Sequence, residues 1–258
     1  MTPLDYPESA AGRFDLDPAV CSEPGTYATN EDSAIVATAN GHWMLALADG
    51  LGGHQRGEVA SRLAVTRAVE LFHEAPSVEA PALVALIQGA HRALKEPRPD
   101  SAENDLRTTF ILLISDGATA RWAHVGDSRL YLFQGGAVAA RTRDHSVPEM
   151  LHRAGEIRDS EIRRHPDRGR LIQALGQDGE PRPTVSDAHI LQEGEAFLLC
   201  SDGWWENVSD EEMERSLEAS AGPQQWLEHM AATITAAAHE PQDNYTATAT
   251  FVVARPGR

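Results

Sequence analysis

Hydrophobic and polar positions change period several times along this chain. The runs SAIVATA (33–39) and HWMLALA (42–48) read as short strands, and Asn40-Gly41 between them is a two-residue hairpin signal. Over 58–74 the period becomes helical, with Val59, Leu63, Ala64, Ala68, Leu71 and Phe72 on one face. A second helix is predicted over 81–95, opened by Pro81 and carried by Leu83, Ile87, Ala90 and Leu94. Both helices are expected to pack on a sheet. TTFILLIS, ATARWAHVG, RLYLF and AVAART then alternate with Asp116-Gly117 and Gly135-Gly136, the pattern of an antiparallel meander. From 146 to about 176 charges dominate, and a small helical insert is predicted there. AHILQ and EAFLLCS resume the strand pattern, followed by the acidic segment SDEEMERSLEA and a helix over about 223–238. In the last strand Tyr245, Ala247, Ala249 and Phe251 alternate with Thr246, Thr248 and Thr250, which predicts one buried and one exposed face.

Strands and helices do not follow βαβ order, so the fold class predicted is α+β, with sheet packed on sheet and helices outside. Residues 1–24, rich in Pro, Asp, Glu and Ser, are expected to form a loosely held arm before a single domain over 25–254. The length of 258 residues, with 41% hydrophobic and 24% charged, fits one such domain. A formal net charge of −17 argues against nucleic acid and acidic membrane surfaces as partners. The two cysteines, Cys21 and Cys200, offer no disulfide framework, and no apolar run approaches the roughly 18 residues of a membrane span. A soluble protein of the reducing cytoplasm is expected.

Single aspartates recur where strands run out into turns: Asp32, Asp49, Asp127, Asp202 and Asp243. Carboxylates at the ends of buried strands are costly to desolvate, and several together repel one another. Hard divalent cations relieve both costs, and oxygen-only ligation suits Mg²⁺ or Mn²⁺. Of the four Asp-Gly pairs, those at 116–117 and 178–179 read as ordinary turns. Asp49-Gly50 and Asp202-Gly203 instead follow apolar strands and are expected to present carboxylates to a crevice.

The segments NEDS, ADGLGGH, RTTF, HVGDSR, TRDHS, HPDRGRLIQALG, LLCSDG and QDN occur in an order that resembles the metal-dependent serine/threonine protein phosphatases of the PPM (PP2C-type) family, of the bacterial kind. The resemblance implies a β-sandwich of two antiparallel sheets flanked by antiparallel helices, in α-β-β-α layers. It also implies metal-dependent hydrolysis of phosphoserine and phosphothreonine by a metal-activated water at a binuclear Mg²⁺ or Mn²⁺ centre. Carried over by position, Asp49 bridges two ions, Gly50 gives its carbonyl to one, and Asp202 and Asp243 ligate the other. Glu31 and Asp32 hold metal-bound waters. Asp127 and Asp202 match a third ion's site, with Glu206 as a helper, and 146–176 matches a mobile flap. Implied partners are phosphoprotein substrates and a bacterial Ser/Thr kinase, with the chain itself a monomer.

Two departures stand out. Tyr27 occupies the position where the family carries a phosphate-gripping arginine, and Arg107 stands where glycine is common. Leu51 cannot donate a proton where eukaryotic relatives have histidine, a trait shared by bacterial relatives. The histidines match no zinc spacing and read as structural; His54 lies closest to the expected centre and, with Tyr27, is a substrate-binding candidate. Two competing readings are a serine esterase built on Gly126-Asp127-Ser128 and a phosphatase-fold scaffold that has lost turnover. If Tyr27 marks a lost grip on phosphate, Tyr27→Arg should lower KM for a small aryl phosphate by about 10-fold or more, the scale of a charge-assisted contact. An unchanged or raised KM would mean that another group already holds the phosphate.

Overall fold

A computed structural model describes residues 12–52, 56–97, 105–237 and 241–255. In chain order these form β1 (Phe14–Glu23), β2 (Asp32–Ala39), β3 (His42–Leu51), α1 (Arg56–Glu74), α2 (Ala80–Lys95), β4 (Arg107–Thr108), β5 (Phe110–Ser115), β6 (Thr119–Val125), β7 (Arg129–Gln134) and β8 (Ala137–Arg141). There follow α3 (Val147–Arg153), α4 (Asp159–Ile162), β9 (Thr184–Val185), β10 (His189–Ile190), β11 (Ala196–Cys200), α5 (Asp202–Trp205), α6 (Asp210–Glu218), α7 (Pro223–Ala237) and β12 (Tyr245–Ala254). The hairpin at Asn40-Gly41 forms as its sequence demands, with φ of 47° and 78°.

One sheet runs β1-β12-β11-β7-β8 and the other β10-β6-β5-β3-β2, with β4 beside β3 and β9 beside β6. All pairings are antiparallel. Residue alternation divides the interior into three apolar layers. Met44, Ala46 and Ala48 of β3 pack under α1 and α2, with Ala64, Ala68, Phe72 and Ile87. Leu45 and Leu47 point the other way, meeting Leu130, Phe197, Leu199 and Val252 between the sheets. Beyond the second sheet, Leu198, Ala247 and Ala249 pack against Trp204, Trp226, Leu227 and Met230. The α-β-β-α layering is therefore a consequence of two sheets that are each apolar on both faces.

Two expectations are corrected, and the acidic segment takes a defined form. Residues 14–23 are not an arm but β1, paired residue for residue with β12 from Phe14↔Ala254 to Glu23↔Tyr245. Its Asp15, Asp17, Pro18 and Glu23 resemble a loose segment because they are the residues that keep an edge strand from pairing further. The last strand is not half-exposed: Thr246, Thr248 and Thr250 are fully buried, because β12 is flanked by β1 and β11 and covered by the opposite sheet. The acidic segment is helix α6, and its signal is the Ser209–Glu212 capping box.

Leu16 of β1 is 3% exposed in the layer between the sheets. Leu16→Ala should therefore cost about 2–5 kcal/mol in a denaturant titration. A loss below about 0.5 kcal/mol, the scale of a surface substitution, would mean that this strand is dispensable.

Candidate metal centre

Five acidic side chains from five separate stretches meet at one end of the sandwich. Glu31 precedes β2, Asp49 lies near the end of β3, Asp127 follows β6, Asp202 opens α5 and Asp243 precedes β12. All five line one cavity of about 480 Å3, together with Tyr27, Gly50, Leu51 and Asn244. Asp32 sits behind them, opposite Asp49 in the β2–β3 ladder. It is 8% exposed, and its Oδ2 accepts a hydrogen bond from Ser201 Oγ at 2.8 Å.

The strand ends that carry these acids are bound to one another. The Asp49 carbonyl accepts from Thr108 Oγ1 at 2.7 Å and from Thr109 N at 2.8 Å. Asp49 N donates to Thr109 Oγ1 at 2.9 Å, and that hydroxyl is 2.7 Å from Ser128 Oγ. Across the cavity, Asn244 Oδ1 accepts from Glu31 N at 2.8 Å, while Asn244 Nδ2 donates to Pro24 and Thr29 carbonyls. Gly50 and Gly57 touch backbone to backbone: a methyl group on Gly50 would collide with the Gly57 carbonyl, and one on Gly57 with the Glu31 carboxylate.

Asp127 is steadied from behind. Trp205 Nε1 donates to its carbonyl at 3.0 Å, and the Arg129 guanidinium stacks 3.5 Å from the Trp205 ring centroid. Arg129 also makes a bidentate pair with Asp144, at 2.8 and 2.7 Å, and both side chains are 2% exposed. Burial works against the Arg129 charge, but Asp144 and Tyr131 together more than offset it, so its pKa stays well above the ordinary value. The arginine of HVGDSR and the aspartate of TRDHS thus owe their presence to each other. His124 and His145 stack at 4.6 Å between centroids, with His124 Nε2 against the Arg143 carbonyl and His145 Nε2 against Thr184 Oγ1. They are structural, as their spacing suggests.

Electrostatics define what the cavity will accept. Burial, followed by repulsion from the neighbouring acids, raises Asp49 and Asp202 well above the usual carboxylate range. Burial also lifts Asp32 and Asp127 to about 7. Glu206 is raised by burial although Arg168 bridges to it at 2.7 Å. No Lys, Arg or His side chain lines this cavity among the described residues. The donor set is therefore oxygen only, crowded and short of positive charge, which fits hard divalent cations. Among the described residues, no three His, Cys, Asp or Glu side chains are gathered closely enough to hold a metal ion by themselves. An open acidic cavity suits ions that keep several of their own waters, as Mg²⁺ does.

Sequence reasoning placed Glu31, Asp49, Gly50, Asp127, Asp202 and Asp243 together, and Asp32 beside them. Tyr27 lines the mouth, 50% exposed. His54 lies outside the described residues. Missed were Thr108, Thr109, Ser201 and Asn244, whose hydrogen bonds aim the acids and their strand ends; membership in RTTF, LLCSDG and QDN was their signal. The esterase reading fails, since Ser128 is 2% exposed and bonded to Thr109. A larger cavity of about 730 Å3 lies between the 146–176 insert and α6, where arginines such as Arg141 and Arg163 are matched by Asp159 and Asp210.

The raised carboxylates fix the sign of a pH effect. Unfolded aspartates titrate near 3.9, so the folded, metal-free protein binds more protons than the unfolded chain between about pH 4 and 7 and loses stability as pH rises through that window. A tenfold difference in proton affinity between the two states is worth about 1.4 kcal/mol. The metal-free Tm should fall between pH 5 and 8, Mn²⁺ should restore it at pH 8, and Asp49→Asn should flatten the decline. A slope unaltered in Asp49→Asn would show that these acids do not repel one another as described.

The sequence profile of protein phosphatase 2C matches residues 26–221. The chain is 34% identical over 205 residues to the serine/threonine protein phosphatase PstP of Mycobacterium tuberculosis, covering 78% of this chain and 38% of that protein. It is 30% identical over 208 residues to the protein phosphatase PhpP of Streptococcus pneumoniae, covering 77% and 82%. The solved catalytic domain of PstP in complex with two manganese ions superposes with a TM-score of 0.77 at 29% identity, covering 92% of this chain and 98% of that one. The chain spans 38% of the length of the mycobacterial relative and most of the streptococcal one. The order of motifs, the two-sheet sandwich and the profile match over three quarters of the sequence all say the same thing: this chain belongs to the protein phosphatase 2C family.

Proposed function

We propose that this chain is a metal-dependent protein phosphatase that hydrolyses phosphoserine and phosphothreonine. The observation that carries the reading is the single cavity in which Glu31, Asp49, Asp127, Asp202 and Asp243 converge, with no basic side chain among its described lining residues. Such a cavity repels a phosphate dianion until cations reverse its sign. Two Mg²⁺ or Mn²⁺ ions are the group it fits, and Asp49, the Gly50 carbonyl, Asp202 and Asp243 would hold them. Asp127, Asp202 and Glu206 would hold a third. When bound, such ions acidify water and neutralise the charge of a phosphoryl group.

The chain's own side chains divide the remaining work. Thr108 and Thr109 hold the Asp49 backbone, so its carboxylate enters the cavity at a fixed height. Ser201 fixes one oxygen of Asp32, which sets the carboxylate in place to orient water, with Glu31 beside it. Tyr27 offers a hydroxyl at the mouth to a phosphate oxygen. A phosphoprotein substrate and the Ser/Thr kinase that supplies it are the partners this chemistry requires. The unpaired cysteines suit a reducing cytoplasm, and no helix among the described residues is long and apolar enough to cross a membrane. A scaffold without turnover would have no physical reason to keep these acids buried together.

Hydrolysis of a phosphothreonine peptide and of p-nitrophenyl phosphate should require Mn²⁺ or Mg²⁺ and stop in EDTA. Asp49→Ala and Asp202→Ala should each lower kcat by at least about 100-fold, the scale of losing one fixed charge stabiliser, while the variants stay folded. Full activity in either variant would sink the assignment.

A further inference from the structure

A second cavity, of about 640 Å3, adjoins the acidic one, and the two share Leu51, Gly52, Gly169 and Leu171. Its charge is opposite in kind. Arg56 and Arg107 line it, with Asp105 as the one acid in its described wall, whereas the described wall of the neighbouring cavity has five acids and no cation. In a chain of net charge −17 this is a local reversal of sign at the edge of the reaction centre.

The two arginines are fixed by the same contacts that fix the centre. Arg107 pairs with Leu51 in the β3–β4 ladder, one step beyond the Gly50↔Thr108 pair. Arg56 is joined to Gly57, whose backbone packs against Gly50. Their backbones thus stand at a set distance from Asp49. Arg107 Nε donates to Asp105 at 2.7 Å, with the two side chains 46% and 56% exposed. A pair so exposed contributes little, so an incoming anion can exchange with Asp105. A guanidinium is the side chain best shaped to take a carboxylate or a phosphate through two parallel hydrogen bonds.

Resting on the phosphatase reading, we propose that this second cavity is a docking lobe, in which Arg56 and Arg107 hold an anionic group that the substrate carries within a few residues of its phosphorylated side chain. The group is a carboxylate or a second phosphate. The lobe makes the enzyme selective for acidic phosphopeptides, and it lends the substrate a cationic hold that the walls of the metal cavity do not supply.

The test compares KM among phosphothreonine peptides with neutral flanks, with aspartates before or after the phosphoresidue, with a second phosphate on either side, and with lysines, using the full chain and Mn²⁺. p-Nitrophenyl phosphate, which carries no second anionic group, is the internal reference. The wild type should favour an acidic or doubly phosphorylated peptide by about 5- to 10-fold in KM over the neutral one, the scale of a partly exposed charge-assisted contact. Arg107→Gln should abolish most of that preference while leaving aryl phosphate turnover unchanged, and Arg107→Glu should turn the preference toward the lysine peptide. A gain confined to the doubly phosphorylated peptides identifies a phosphate site, and an equal gain for aspartate identifies a site for negative charge in general. Equal KM for all peptides in the wild type, or a preference that survives in the Arg56→Gln/Arg107→Gln double variant, overturns the docking lobe and leaves the phosphatase reading standing. Loss of all metal-dependent turnover, aryl phosphate included, overturns both.

Discussion

Burial of carboxylates that also repel one another is the constraint on which the rest of this structure depends. Glu31, Asp32, Asp49, Asp127, Asp202 and Asp243 are brought together from both ends and the middle of the chain, and four of them are pushed far above their ordinary pKa values. Six such groups would drive a flexible loop apart. Here each is attached to a strand end or helix start whose backbone is already committed to a ladder, so the repulsion is borne by the whole sandwich. The three apolar layers hold the strands, and the strands hold the acids.

The neighbours of the acids are chosen to aim and not to neutralise. Thr108, Thr109, Ser201 and Asn244 add hydrogen bonds without adding positive charge. The buried guanidinium closest to Asp127 is Arg129, and it is already committed to Asp144 and to the face of Trp205. A buried pair of this kind contributes little net stability against an apolar replacement, but removing one partner is costly. Its use is positional. It seats Trp205, whose indole fixes the Asp127 carbonyl, while Arg163 of the insert donates to the Trp205 and Val208 carbonyls. The 146–176 insert and the Asp127 loop therefore share one aromatic support.

Most of the architecture was legible in local pattern, because period and turn chemistry agreed. Asn40-Gly41 and Asp116-Gly117 each set a hairpin, and α1 and α2 bury the faces their spacing predicts. The misses share a cause. β1 and the threonine face of β12 were misread because their residues report on position within a sheet, edge or centre, which only tertiary structure decides. In the centre, the acids were legible as strand-end carboxylates. The threonines, Ser201 and Asn244 were not, since a hydroxyl or amide that orients another residue has no spacing rule. The arginine lobe was illegible for the same reason: only the β3–β4 ladder brings position 107 beside Leu51.

The pairing of β1 with β12 also sets a timetable. Ser22 and Thr246 are hydrogen-bonded across 224 residues, and Asn244 fastens the segment before β2 at comparable separation. Contacts this remote in sequence form late and slowly, because most of the chain must be ordered before they are rewarded. During synthesis, β11 and the Asp202 turn leave the ribosome with β7 already made and β12 still missing. Asp243 and β12 follow them. The cavity that gathers the acids is thus completed only once β12 has emerged, and a chain cut before that strand cannot assemble it.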